Sequence, residues 1–63
     1  MKIEADQQIE SIRVLDLSGR IIFIEKNINQ KFSEISLASF QKGAYILEVS
    51  ANGSTQKQTI IRE

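Results

Sequence analysis

The sequence predicts a small all-β domain, and three observations lead to this fold class. Within several short stretches apolar or β-branched residues alternate with polar residues, and this period of two is typical of half-buried strands. Asn52-Gly53 separates two such runs and is a strong hairpin signal, because both turn positions favour a positive φ. Asp16 and Gly19 mark a second turn. We therefore predict about six short antiparallel strands in a single domain spanning residues 1–63.

The composition excludes several classes of function. The 63 residues include no cysteine and no histidine, so Ser-His and Cys-His nucleophiles, disulfides and the commonest metal ligand are all absent. Eight basic and eight acidic residues cancel and are scattered, whereas a nucleic-acid-binding protein needs a basic face. We expect no enzyme, no catalytic, cofactor-binding or metal-binding residues, no cofactor, no nucleic-acid partner and no small-molecule substrate.

The first part of the chain predicts two strands joined by a polar connection. Residues Met1–Ala5 alternate as a short strand, which we prefer to a helix because the stretch is too short for one. Asp6–Gln8 form the connection, and Ile9–Leu17 form the second strand. The Asp16 carboxylate is suited to accept a backbone N–H two residues ahead, which favours a type I turn. A three-residue loop would then place Asp16 opposite Arg20 as a surface ion pair.

The hairpin around this turn is apolar on both of its predicted faces. The three-residue loop would pair Val14 with Ile22 and Ile12 with Ile24 on the core side. A sandwich normally leaves one face of each sheet polar. Either the hairpin is covered on both sides, or the opposite face is an exposed interface patch, formed by Leu15, Ile21 and Phe23.

The middle of the chain predicts a loop, a strand and a crossing connection. Lys26–Lys31 is a polar, asparagine-rich stretch, and Phe32–Leu37 alternates as a short strand. This alternation places Ile35 and Leu37 on the inward side. In the connection that follows, Phe40 is expected to plug the end of the core.

The closing hairpin allows two registers, which a shift of one residue exchanges. A two-residue Asn-Gly turn places Glu48 opposite Lys57. A loop enlarged by Ser54 instead places Tyr45 opposite Ile61 and matches apolar residues with one another. Turn chemistry favours the first register and apolar matching favours the second. We prefer the first.

Four stretches together resemble the C-terminal sorting domain of type IX secretion substrates (type A). They are Ile12–Ile22 with its Asp-Leu-Ser-Gly-Arg turn, the Ile-Ser-Leu-Ala-Ser-Phe segment ending at Phe40, the Gly-Ala-Tyr block starting at Gly43, and the final strand Lys57–Arg62. The chain departs from the family in lacking an initial Asn-Pro segment and in having Phe40 where leucine is usual. The first departure suggests that the start of the domain is trimmed or is replaced by the Met1 start, which would leave an unpaired strand edge.

The resemblance implies a small Ig-like β-sandwich that acts as a signal. Such domains end large exported proteins and direct the attached cargo to the outside of the cell or to its surface. The implied partners are secretion and sortase-type proteins of the outer membrane. The alternative is a small Ig-like or fibronectin-like binding or adhesion module of a surface protein. We also expect a homodimer through the unpaired edge or the apolar face.

The resemblance also assigns roles to six motif positions. Four of these are expected to be structural, and the two basic residues of the final strand are the expected contacts. The structural positions are Asp16, Gly19, Gly43 and Tyr45, and the contact positions are Lys57 and Arg62.

Overall fold

The computed structural model describes residues 1–63 and contains one antiparallel sheet of four strands. The strands are β1 (Lys2–Leu15), β2 (Ile21–Glu34), β3 (Gly43–Ala51) and β4 (Ser54–Arg62). The order across the sheet is β2-β1-β3-β4, so β1 and β3 are central and β2 and β4 form the edges. The predicted all-β antiparallel class is confirmed, but the predicted six short strands are wrong, and the strands form one sheet rather than a two-sheet sandwich. No helix is present that could cross a membrane.

The strand count differs because two polar stretches continue strands instead of ending them. Asp6–Gln8 lies inside β1, and Lys26–Lys31 lies inside β2. The β1–β2 ladder is irregular in this region, and Asn27 and Asn29 adopt φ angles of 59° and 54°. Irregularities of this kind bend a strand pair without separating it. The chain therefore forms one long bent hairpin where we predicted four shorter strands.

The bend brings the far end of the β1–β2 hairpin back over the sheet. Ile3, near the start of β1, belongs to the same buried cluster as Leu47 of β3 and Ile60 of β4. Two hydrogen bonds between Met1 and Ile35 extend this end of the hairpin. The Met1 ammonium group donates to the Ile35 carbonyl at 2.7 Å, and the Ile35 N–H donates to the Met1 carbonyl at 2.9 Å. The end of the hairpin thus covers the core from the side where a sandwich would have its second sheet.

The core lies between this folded-over end and one face of the sheet. Ile9, Ile12 and Val14 of β1 are fully buried, and burial of each such side chain contributes about 1.5–3 kcal/mol. We name the side of the sheet that carries Ile12 and Val14 the core face, and the opposite side the outer face. The connection between β2 and β3 covers the core face with Ile35 and with Phe40, which confirms their predicted inward positions.

A bulge near the first turn shifts the β1–β2 register. Leu15 lies opposite Ile21 as predicted, but Val14 lies opposite Phe23 rather than Ile22. One extra residue on β2 therefore intervenes between two successive residues of β1. The predicted Val14–Ile22 pair is wrong for this reason.

The same bulge divides the predicted apolar patch between the two faces. Ile24 pairs with Arg13 on the outer face instead of with Ile12, so the predicted Ile12–Ile24 pair is also wrong. Phe23 moves to the core face and packs against the core, and Leu15 is buried. Of the three predicted patch residues, Ile21 alone is strongly exposed.

The closing hairpin has the register that the turn chemistry favoured. Ala51 lies opposite Ser54, and Glu48 lies opposite Lys57. Asn52 and Gly53 adopt φ angles of 50° and 78°, as a two-residue turn with two positive φ values requires. Apolar matching across the hairpin favours the wrong register because Leu47 and Val49 lie opposite Gln58 and Gln56 of β4. Leu47 instead belongs to a buried cluster with Ile3 and Ile12 of β1.

Candidate interaction surface

The Asp16 turn is closed by its own side chain. Asp16 Oδ1 accepts hydrogen bonds from the Ser18 N–H (3.0 Å), the Ser18 hydroxyl (2.6 Å) and the Arg20 N–H (2.9 Å). Arg20 Nε lies 3.3 Å from Asp16 Oδ2, which confirms the predicted ion pair. The Ser18 hydroxyl, followed by the Arg20 amide, lowers the pKa of Asp16 below its ordinary value. Gly19 completes the turn with a φ of 92°, so both residues are used in building the turn.

Gly43 and Tyr45 fix the connection that leads into β3. Gly43 begins β3 with a φ of 149°, in a region that side-chain-bearing residues avoid. The Tyr45 hydroxyl donates a hydrogen bond to the Gln41 carbonyl, and its ring lies 5.4 Å from that of Phe40. Both residues therefore shape the connection where it joins the sheet.

The two basic residues of β4 do not form one site. The Lys57 side chain is 70% exposed on the outer face, and its Nζ lies 3.7 Å from Glu48 Oε2. Arg62 lies opposite Gly43, and its Nη1 donates to the Glu63 carbonyl at 3.2 Å. Because the two positions are an odd number of residues apart on one strand, their side chains leave opposite faces of the sheet. Lys57 alone presents an exposed charge on the outer face of β4.

A buried carboxylate beside Lys57 was not predicted as a functional or structural centre. Glu48 is 6% exposed in the middle of β3. Its carboxylate accepts hydrogen bonds from Arg13 Nε, at 2.9 Å, and from Arg13 Nη2. Arg13, Glu48 and Lys57 thus form one ionic row across β1, β3 and β4. The hairpin register predicts the Lys57 contact, but the Arg13 contact depends on the distant β1–β3 pairing.

Apolar side chains flank this ionic row on the outer face. Ile21, Ile24 and Ile61 are 45%, 46% and 68% exposed, and Ile46 is half-buried between the edges. Three of these residues lie outside the patch that the sequence predicted. The exposed apolar surface is therefore distributed over both edge strands instead of being confined to the first hairpin.

A cleft of about 690 Å³ opens between the start of β1 and the core face of the closing hairpin. Its wall is mixed, with Leu47 and Val49 beside Gln56 and Gln58. No aromatic side chain lines it. Three acidic side chains do not converge anywhere in the structure. The cleft is thus open and partly polar, and Lys2, Glu4 and Asp6 lie on its β1 side.

The match to known proteins comes from a family model. The family described as the secretion system C-terminal sorting domain matches residues 1–63. No curated protein and no solved structure shows significant similarity to the chain. The predicted resemblance to the type IX sorting domain is thereby confirmed along the full sequence, from the bent hairpin to β4. This chain belongs to the secretion system C-terminal sorting domain family.

Proposed function

We propose that this domain is a non-catalytic signal that directs export of an attached cargo through the type IX secretion machinery, and then its attachment to the cell surface. The observation that carries the proposal is the family match, which includes every strand of the sheet. In this reading the cargo precedes the domain in a larger exported protein and passes through the periplasm and the outer membrane.

The placement of the motif residues supports separate roles for them, with some residues holding the fold and others contacting a partner. Asp16 and Tyr45 are engaged in turns and tethers inside the fold. Lys57 keeps an exposed ammonium group on the outer face of an edge strand. An exposed charge on an edge is available to a partner without any disturbance of the core. Lys57 is therefore the residue that we assign to recognition, with Arg62 as a half-buried second contact at the end of β4.

The proposed partners are outer-membrane proteins of the secretion machinery and a sortase-type peptidase. The peptidase would act on the chain as the cargo becomes attached to the surface. Contact with a second copy of the domain is an additional interaction that the free sheet edges favour. The alternative of an adhesion or ligand-binding module would need a patch of exposed aromatic side chains. Phe23, Phe40 and Tyr45 pack in a row, and Phe32 is the one strongly exposed aromatic residue.

The direct test attaches residues 1–63 to the C-terminus of a reporter with a periplasmic export signal. The reporter is produced in a bacterium that has a type IX system and in the same strain without it. We expect the reporter at the cell surface or in the medium only in the first strain. A reporter that stays in the periplasm of both strains, while a longer sorting domain exports it, would refute sufficiency of this segment.

A charge variant tests the assignment of Lys57. Lys57→Gln should reduce export, whereas Lys26→Gln removes the same charge from the other edge strand and should leave export unchanged. Both side chains are exposed, so neither variant should disturb the fold. Equal export from the two variants would contradict the role of Lys57 and would leave the function of the domain as a whole to the reporter experiment.

A further inference from the structure

The two edges of the sheet differ in their ability to accept another strand. The β3–β4 ladder runs without any shift from Gly43 opposite Arg62 to Ala51 opposite Ser54. In contrast, β2 carries the bulge near the first turn, further register shifts, and two asparagines with positive φ. Bulges and twists protect an edge against pairing, and a straight regular edge lacks that protection. The open edge of this domain is therefore β4.

The hairpin register identifies the backbone groups that β4 leaves free. In a two-residue hairpin the residues flanking the turn, Ala51 and Ser54, form a hydrogen-bonded pair, and such pairs then alternate along the ladder. Even-numbered residues of β4 therefore bond to β3. The N–H and C=O groups that point away from the sheet belong to Thr55, Lys57, Thr59 and Ile61.

We propose that the β4 edge pairs with β4 of a second copy, antiparallel and centred on Gln58, to give a continuous eight-stranded sheet. This register places Thr55 opposite the second copy's Ile61 and Lys57 opposite its Thr59. By two-fold symmetry each of these pairs occurs twice. All four outward-pointing residues of each β4 then exchange hydrogen bonds with the other copy.

Charge selects this register over its neighbours. A pairing centred on Lys57 would set the two lysines directly opposite one another, and like charges in that position are destabilising. A pairing centred on Thr59 uses fewer of the free backbone groups. In the register centred on Gln58, Lys57 faces a neutral side chain, and Glu48 of its own chain already lies 3.7 Å from its ammonium nitrogen. Arg62 likewise faces the neutral Ser54.

The size of the contact predicts weak, reversible association. Only one nine-residue strand of each copy takes part, whereas stable interfaces bury about 1,200–2,000 Å² in total. We therefore expect a dimer that forms with rising protein concentration. The inference does not rest on the sorting function, so a failed export experiment would leave it intact.

A single introduced thiol reads out the register, because the natural chain contains no cysteine. In the proposed dimer Gln58 faces its own counterpart in a non-hydrogen-bonded pair, with Cα atoms about 4.5 Å apart, within the range of a disulfide. Gln58→Cys should therefore form covalent dimers rapidly in oxidised glutathione. The matched control is Gln56→Cys, which lies on the same face, is also exposed and faces Ile60 of the other copy instead.

Each outcome of the thiol experiment is decisive. Selective cross-linking of the Gln58→Cys chain supports the register. Equal cross-linking of both variants, or faster cross-linking of Lys57→Cys, would overturn it. Folding of every variant is checked by circular dichroism before oxidation.

Charge variants at Thr59 test the same contact without a covalent bond. Thr59→Glu places two carboxylates opposite the two Lys57 side chains, and Thr59→Lys places two like charges there. Cross-strand charge pairs of this kind should separate the dissociation constants of the two variants by about tenfold or more, with the glutamate variant tighter. Sedimentation equilibrium over a range of concentrations measures this. Equal constants, or a monomer at millimolar concentration for the natural chain and for Thr59→Glu, would overturn the proposal.

Discussion

Replacement of Glu48 by glutamine should destabilise the domain far more than loss of either charge from an exposed pair would. The Glu48 side chain is 7% exposed, whereas Arg13 and Lys57 are 41% and 70% exposed. Glutamine keeps the size of the side chain but removes the charge that balances the Arg13 guanidinium. The cost should therefore come from the loss of charge-assisted hydrogen bonds and not from a cavity.

The magnitude follows from the burial of the partners. Hydrogen bonds to charged groups contribute about 1.5–3 kcal/mol, and breaking a fully buried pair costs about 3–5 kcal/mol. Because Arg13 can regain water, we expect the lower range, about 2 kcal/mol. A 63-residue chain has a free energy of unfolding of about 3–9 kcal/mol. For a domain of this size, 2 kcal/mol corresponds to a fall in Tm of about 8–16 °C.

The assay is urea denaturation followed by circular dichroism, with Lys57→Met as the matched control. Lys57 is mostly exposed, so its removal should cost only about 0–1 kcal/mol. Arg13→Met should cost at least as much as Glu48→Gln, because it leaves the buried carboxylate with Lys57 as its sole cation. Equal losses for Glu48→Gln and Lys57→Met would show that the burial of Glu48 does not determine the strength of the row.

Three further predictions concern the turns and the tether. The pKa of Asp16 is lowered in the folded chain, so its contribution to stability is complete above the unfolded pKa of about 3.9 and is lost as the pH falls through the lower folded pKa. Asp16→Asn should therefore lose less stability than the natural chain between neutral pH and pH 2, as measured by urea denaturation. Parallel pH profiles of the two chains would contradict this. Gly43→Ala forces a side chain into a φ of 149° and should cost about 1–3 kcal/mol, measured as a shift of the urea midpoint against the conservative surface change Gln56→Ala. Tyr45→Phe removes the hydrogen bond to Gln41 and should cost about 0.5–1.5 kcal/mol. Relative to the natural chain, it should speed amide exchange in the β2–β3 connection more than in β4, and unchanged exchange in the connection would contradict the role of this hydrogen bond.

Local features of the fold could be predicted from the sequence because they depend on neighbouring residues. The Asn52-Gly53 turn fixes the β3–β4 register through its own φ preferences, and Asp16 closes its turn with its own carboxylate. The inward position of Phe40 can be predicted because it is the only large apolar side chain between Ala38 and Lys42.

The features that were mispredicted depend on contacts between distant parts of the chain. No residue pattern in the Val14–Phe23 stretch predicts the bulge that moves Phe23 to the core face. The Arg13–Glu48 pair requires the β1–β3 register, which nothing local determines. Polar residues such as Gln7 predict a connection, yet a bent strand accommodates them on its exposed side.

The strand order β2-β1-β3-β4 also has a consequence for how quickly the domain assembles. Each of the two hairpins closes a short loop and can form early, whereas the β1–β3 pairing joins residues as far apart as Ile9 and Ala51. The entropy of closing that long loop is lost before the contact yields any stabilisation. We therefore expect the two hairpins to form first and the β1–β3 pairing to be the slow step, so that the core stays open until these two central strands meet.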